Sequence, residues 1–355
     1  MKKILALTFA DPRTQGGIEG FNRMLKKFYP NELVIITYPN DFEKIYNVPD
    51  VIEVGSRNFI FRVVNKLLKN RLRENLLKKI IKESKADVII LVHPNDLQIL
   101  KDIKIKKILV QHTSYESFIR DFCHNNEEEK KLVKEKVDCF VTLSKYDAER
   151  FQKELRIEKN KIATIRHSSM IELLETKKEK NKNLVMIGRI DNSSKRFDLA
   201  IKSMKKLPDY ILNIYGGVFK QEDMDFLQEI IKNENIKNVY FKGITNNIQE
   251  KLDKSGIFIM TSDYEGYGIA NIEAMRRGLP IILRNTFDSA QDIVMNNGVL
   301  LAKEWNEDKF IEAVKKVYKN YKHYSENSKR LGKRYDFDKI KKEWEKVIND
   351  VIKEK

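Results

Sequence analysis

Short apolar runs separated by amphipathic stretches set the rhythm of this chain. In its first half the runs Lys3–Ala10, Leu33–Pro39, Asp87–Val92, Lys107–Gln111, Asp138–Leu143 and Lys161–Ile165 are brief and mostly apolar on both sides. Runs of this kind, bounded by polar residues, predict buried β-strands. Between them, residues 18–30 are amphipathic and stop at Pro30. Residues 57–84 predict one long helix, with Val63, Val64, Leu67, Leu68, Leu72, Leu76, Ile80 and Ile81 along a single side. The rhythm restarts at Leu184–Gly188 and continues through Tyr210–Gly217, Val239–Gly243, Gly256–Met260, Leu279–Leu283 and Gly298–Ala302. Strands that alternate with helices at this spacing predict βα units and a mostly parallel sheet in each half. Thr176–Asn183 has no apolar residue and reads as the linker between the halves. Asp336–Lys355 predicts a lone amphipathic helix, with Phe337, Ile340, Trp344, Val347 and Val351 on one side.

Length and charge narrow the classes. A chain of 355 residues has room for two domains with cores of their own. No apolar run approaches the roughly twenty residues needed to cross a bilayer. The opening MKKILALTFADPRT has lysines before an apolar run, as a secretion signal does. The run is too short, however, and Asp11 and Pro12 end it without a small-residue cleavage site, so a first strand is expected. Cys123 and Cys139 form no CxxC pair and are expected to be reduced and structural, which places the protein in the cytoplasm. With 68 basic against 52 acidic residues the formal charge is +16. Such an excess favours nucleic acid, a membrane surface or phosphorylated substrates, unless lysine simply replaces other polar residues throughout.

Glycine is scarce, absent between Gly55 and Gly188, and gathers at predicted strand ends. Gly16-Gly17 follows the first strand and precedes a helix, a phosphate-cradle position without the full GxGxxG pattern. No acidic residue stands where a nicotinamide cofactor's ribose would need one. Gly188-Arg189 follows another strand, with Lys195 and Arg196 in the same polar loop; such cations suit a diphosphate, and either of the last two could meet it. The stretch Thr261–Pro280 predicts strand, glycine loop and helix, carrying Glu265 and Glu273 with Gly266 and Gly268 between them. His112 and His93 each lie just past a strand in polar context, whereas His124, His167 and His323 lack comparable placement. No His, Cys, Asp and Glu set has metal-ligand spacing, and Asp263–Glu265 is not an Asp-x-Asp pair, so metal-independent chemistry is expected.

Together these features resemble the retaining sugar-nucleotide glycosyltransferases of the GT-B fold, specifically glycosyltransferase family 4. EGYGIANIEAMRRGLP is similar to that family's E-x7-E block, and GRIDNSSKR to its Gly-Arg…Lys element, with one residue more between Arg189 and Lys195 than the commonest spacing. The early Gly-Gly, HPN at His93 and HTS at His112 are similar to N-terminal signatures of some members. The resemblance covers nearly the whole chain. It implies an α/β architecture of two Rossmann-like domains whose parallel sheets face an interdomain cleft. Residues 1–170 would be the acceptor-binding domain, completed by a C-terminal helix at 336–355 that crosses back to it. Residues 171–335 would be the nucleotide-sugar-binding domain.

The resemblance also implies roles. Gly16 and Gly17 would offer backbone amides to the donor diphosphate, and Arg189 and Lys195 would neutralise it. Glu273 would hold the ribose hydroxyls and Glu265 the transferred sugar. Amides around Gly268, Ile269 and Ala270 would add phosphate contacts, His112 would touch the donor sugar, and Gly243–Ile244 would frame the base. The implied reaction is transfer from a nucleotide sugar, UDP-sugar by default, with no separate cofactor. Its acceptor would be a glycan or lipid-linked glycan of lipopolysaccharide, capsule or teichoic-acid synthesis. Anomeric configuration would be retained by front-face displacement. The basic stretch 57–85 would pack its apolar side inward and turn its cations to an anionic membrane, making the enzyme peripheral on the inner face of the cell membrane. A GT-B-fold nucleotide-sugar epimerase is the alternative enzyme, for which no convincing acid–base set is seen. A nucleic-acid partner is disfavoured because no RNA motif of interleaved cations and aromatics occurs. The sequence leaves the oligomeric state open.

Overall fold

The computed structural model describes residues 2–353. Two compact units divide it: Met1–Ser168 with Asp338–Lys355, and Ser169–Phe337. Each is built on a fully parallel sheet. In the first unit the strands are β1 (Ile4–Thr8), β2 (Leu33–Thr37), β3 (Val51–Glu53), β4 (Val88–Leu91), β5 (Lys106–Val110), β6 (Cys139–Thr142) and β7 (Ile162–Thr164). Their order is β3-β2-β1-β4-β5-β6-β7, with Ile4 in register with Leu33 on one side and Val88 on the other. The chain therefore winds outward from β1, then returns to β1's other side through β4. The second unit repeats this plan. Its strands are β8 (Asn183–Ile187), β9 (Ile211–Tyr215), β10 (Val239–Phe241), β11 (Ile257–Met260), β12 (Ile281–Arg284) and β13 (Gly298–Leu301), ordered β10-β9-β8-β11-β12-β13. The winding reverses between β1 and β4 and between β8 and β11, the points at which open parallel sheets generally bind their ligands.

All twelve predicted strands are present; β3 is additional. It is a three-residue edge strand, half-buried at best, too short and too polar to leave an apolar signature. The central strands are buried on both faces, as parallel sheets covered by helices require: Ile4–Thr8 and Val88–Leu91 show no exposed residue.

Two expectations meet a different outcome. The charged stretch 176–183 lies inside the second unit and does not link the two. Lys178 is buried there, its ammonium donating to the carbonyls of Leu252 at 2.8 Å and of Asp253, and burial pulls its pKa down to about 8. Charged composition signals solvation only when no carbonyl cage receives the charge.

The long helix expected over 57–84 is two helices, α2 (Phe59–Leu67) and α3 (Arg71–Ser84). They are separated by Lys69 and Asn70 at φ of 49° and 67°, in the left-handed region. Buried Asn65 fixes the corner, donating to Asn70 Oδ1 at 2.9 Å and accepting from the Arg73 amide at 3.0 Å. The apolar side divides with the helix. Leu77 and Ile81 of α3 enter the first unit's core, whereas Val63, Val64, Leu67 and Leu68 face solvent.

The terminal helix Phe337–Lys353 belongs to the first unit from Asp338 onward, where buried Trp344 packs 5.8 Å from Phe21 of α1 (Gly17–Phe28). The last two residues of the predicted 336–355 segment lie outside the described residues.

Candidate functional site

In the second unit the polar groups gather beyond the carboxyl ends of β8 and β11, where the winding reverses. Two loops meet there, and hydrogen bonds stitch them together. Thr261 Oγ1 donates to the carbonyls of Lys195 and Arg196 at 3.0 and 2.8 Å, and the Asp263 amide donates to Ser194 O at 2.8 Å. The stitching brings Lys195 Nζ to 2.5 Å from Glu265 Oε1, although 70 residues separate them. That same oxygen accepts from Ser262 Oγ at 3.0 Å. Both side chains are largely withdrawn from water, so their mutual charge is screened weakly.

Arg196 is differently placed. Its guanidinium forks onto Asp198 at 3.0 and 3.1 Å and reaches Asp263 at 3.1 Å, and these carboxylates raise its pKa further. Asp263 is held from its other oxygen by Arg284, which also donates to Thr261 O at 3.1 Å. Arg196 and Arg284 thus clamp the loop, while Lys195 points along it. Arg189 lies outside this network: more than half exposed, it sits over the Phe219 ring at 4.2 Å and only 3.4 Å from Asp191. Sequence reasoning missed Asp263 and Arg284 as loop clamps, since two arginines sharing one aspartate leave no local spacing to read.

Glu273 is half-buried in the helix Ile269–Arg276, which starts at Gly268. Gly268 has φ of 71°, and a β-carbon there would stand 2.6 Å from Asn271 Nδ2 and 3.1 Å from Met260 Cε. Only glycine fits both the left-handed turn and that contact. Ile269 and Ala270 form the helix's first turn and are partly exposed. Beneath the loop, Tyr267 is buried, its hydroxyl 2.7 Å from both Asp292 and Tyr335. Gly243, at φ of 68°, receives the Gly216 amide on its carbonyl at 2.9 Å, and Ile244 beside it is exposed. Among the described residues no three His, Cys, Asp or Glu side chains converge as metal ligands.

In the first unit, Gly16 caps the N-terminus of α1 and Gly17 begins it. Here a β-carbon would fall 2.0 Å from Glu19 Oε2, so the helix's own third residue folds its carboxylate back against Gly16. An anion arriving there meets a negative charge already in place. His112 stacks on His167 at 5.3 Å, nearly parallel, and meets the edge of Phe21 at 4.6 Å. His167 therefore does have a placement comparable to His112, brought about by β7's neighbourhood and invisible in sequence. Burial depresses both imidazoles, His167 to about 4 and His112 well below its ordinary value, so both are neutral near pH 7. His112 Nε2 is out of solvent with no hydrogen-bond partner among the described residues.

His93 lines a separate cavity of about 290 Å³ with Phe9, Tyr38, Arg73 and Asp96. Phe9, Tyr38 and His93 follow β1, β2 and β4, so the cavity lies at the carboxyl edge of the sheet. Tyr38 donates to Asp96 Oδ1 at 3.0 Å; burial, only partly countered by Tyr38 and Arg73, pushes the Asp96 carboxyl up to about 6. Burial, then His124, pulls His93 down to about 4. An aromatic wall with a carboxylate, amides and one guanidinium suits a hydroxylated ligand.

The model for glycosyl transferases group 1 matches residues 174–334, which span nearly all of the second unit. Two relatives extend the likeness into the first unit. An uncharacterized glycosyltransferase of Haemophilus influenzae is 25% identical over 77% of this chain and 79% of its own length. The poly(ribitol-phosphate) alpha-N-acetylglucosaminyltransferase of Staphylococcus aureus is 25% identical over 77% of this chain, which covers 57% of that protein. Among solved structures, sucrose-phosphate synthase from Thermosynechococcus elongatus superposes with a TM-score of 0.81 over 99% of both chains at 15% identity. Anabaena HepE, in complex with UDP and glucose, superposes at 0.79 over 98% of this chain and 100% of its own, at 14% identity. This chain shares the GT-B fold of these structures. The group 1 segment contains every candidate residue singled out in the sequence of the second unit, from Arg189 to Glu273.

Proposed function

We propose that this protein is a retaining glycosyltransferase of family 4 type. It would transfer a sugar from UDP to a phosphate-bearing glycan or polyol polymer of the bacterial cell surface. The observation that carries the reading is the Lys195–Glu265 contact at the winding reversal of the group 1 segment. It supports an exchange of partners. The donor's diphosphate draws the Lys195 ammonium to itself, with Arg189 as a second cation, and Glu265 is released to accept from the sugar hydroxyls. Arg196 is held on Asp198 and Asp263, which favours Lys195 for the phosphate role.

Chemistry then runs by front-face displacement. The bond from the anomeric carbon to the diphosphate oxygen breaks, the acceptor oxygen forms its bond on the same face, and its proton passes to the leaving phosphate. Glu265 stabilises the positive charge that develops on the anomeric carbon, and Lys195 and Arg189 the negative charge on the leaving group. Glu273 accepts from the ribose hydroxyls, the Gly268–Ala270 amides add phosphate contacts, and Gly243–Ile244 borders the base. Gly16, Gly17 and His112 are the first unit's donor-side groups, and the cavity around Tyr38, His93 and Asp96 supports an acceptor position. The cationic side chains suffice for this scheme without a divalent ion.

The choice of a polymer of alternating hydroxyl and phosphate groups is supported by the Staphylococcus relative, and UDP by the ligands of the HepE structure. The test is a thermal-shift panel of nucleotide sugars with and without EDTA, followed by incubation of the best binder with teichoic-acid-type and lipopolysaccharide-type acceptors. UDP-sugar stabilisation insensitive to EDTA and an axial product linkage from an axial donor are the expected results. An absolute metal requirement, an inverted product, or isomerised UDP-sugar without an acceptor would overturn the reading.

A further inference from the structure

Helix α2 is turned inside out. Its contact with the rest of the first unit runs through buried Asn65 and half-buried Phe61. Phe59, Ile60 and Leu67 are 77%, 69% and 77% exposed, and Val63, Val64 and Leu68 complete the same outward stripe. Positions 59, 60, 63, 64, 67 and 68 fall on one face at helical spacing. A stripe of this kind normally enters a core; here it faces outward on a helix whose conformation is already secured. Asn58 caps it by accepting from the Ile60 amide at 2.9 Å, and the Asn65–Asn70–Arg73 corner ends it.

The charge around the stripe identifies what covers it. No carboxylate occurs in α2. Arg57 precedes it, Arg62 and Lys66 lie within it, and Lys69 and Arg71 follow. Arg57 meets Asp41 at 3.5 Å; Arg62, Lys66, Lys69 and Arg71 make no ion pair among the described residues. The helix's other side borders a cavity of about 500 Å³ lined by Arg57, Arg62, Lys66 and Arg73. A second copy of this chain would bring identical cations face to face across a two-fold axis, and their repulsion disfavours that occupant. An anionic bilayer satisfies both features at once: acyl chains take the apolar stripe, and lipid phosphates take the cations, whose long stems reach up from a helix lying in the interface.

We propose that α2 is an interfacial anchor that lays Phe59, Ile60, Val63, Val64, Leu67 and Leu68 into an anionic lipid surface. The orientation is opposite to the one expected from the sequence, where apolar residues turned inward and cations alone met the lipid. The proposal goes beyond the proposed reaction and does not depend on it, because its test contains neither donor nor acceptor. The full chain is sedimented with vesicles of phosphatidylcholine alone and of phosphatidylcholine with phosphatidylglycerol. It is expected to bind the second and not the first. The double substitution Phe59→Ser with Leu67→Ser should weaken binding at least about tenfold, since two large side chains lose their burial. Its melting temperature should not change, because both residues are exposed. A Phe59→Trp variant should shift its emission to the blue and be quenched by brominated acyl chains. Failure to bind phosphatidylglycerol vesicles overturns the proposal. So does a double variant that binds like the wild type, which would mean that charge alone acts. A dimer seen by light scattering and abolished by the double substitution, without vesicle binding, would assign the face to a second copy instead.

Discussion

Two helices in this molecule begin at a glycine just beyond a strand, and they treat that glycine differently. At Gly16 the backbone is extended, and the group that excludes a β-carbon is the tip of Glu19, a flexible side chain. At Gly268 the backbone is left-handed, and the excluding groups are Asn271 and Met260, both fixed in the fold. The first terminus supplies its own anion. The second is a rigid turn whose preceding loop is tied down by Arg196, Arg284 and Tyr267. The same local sequence signal, glycine between strand and helix, therefore covers an adjustable terminus in one unit and a preorganised one in the other. Preorganisation at the second suits a transition state, where charge must be met without rearrangement.

The comparison is broken most severely at the end of the rigid loop. Glu265→Ala should lower turnover by about 10²–10³ while leaving UDP affinity nearly unchanged, whereas Glu273→Ala should mainly weaken UDP binding. Steady-state kinetics beside calorimetry of UDP separates the two, and equal effects on UDP affinity would undo the division. Next comes the glycine itself. Gly268→Ala should destabilise the protein by about 2–3 kcal/mol, from left-handed strain and a clash that cannot relax, whereas Gly16→Ala should cost less than about 1 kcal/mol because Glu19 swings away. Denaturant unfolding of both variants measures the difference.

The third prediction concerns the buried imidazoles near α1. His167 has a folded pKa near 4 against an ordinary 6.5, so the unfolded chain binds the proton more readily. Its contribution is then present above pH 6.5 and is lost as pH falls toward 4, by about 2 kcal/mol at pH 5. Asp96, raised to about 6, works in the opposite sense and offsets part of this. A His167→Phe variant should show a flatter decline of melting temperature between pH 7 and 5, and Asp96→Asn a steeper one. The smallest effect is at the adjustable terminus. Glu19→Gln removes the resident charge and should strengthen UDP binding a few-fold, equivalent to about 1 kcal/mol or less. Unchanged affinity would remove Gly16–Gly17 from the donor site.

Much of this arrangement is legible along the chain, for identifiable reasons. Strands buried on both faces leave continuous apolar runs, so Ile4–Thr8 or Ile257–Met260 announce themselves, and only the short edge strand Val51–Glu53 does not. Gly268 and the two glutamates stand out because helix periodicity and scarce glycine place them at a strand's end. Their partners are not legible. Nothing near Glu265 predicts Lys195 as its neighbour, nor Arg284 as the second clamp on Asp263, since these contacts join strands that become adjacent only when the sheet forms. Lys178 and His167 mislead for the same reason: composition reports what a residue prefers, not the carbonyls or rings that receive it.

The alternation of apolar runs and amphipathic stretches by itself determined two parallel sheets and the residue types gathered at the ends of their strands. Which cation faces Glu265, which histidine stacks on His112, and which way α2 turns its apolar side were decided only by tertiary structure. Periodicity states that a helix has two faces. The corner at Lys69–Asn70, fixed by a single buried asparagine, decides which of them looks outward.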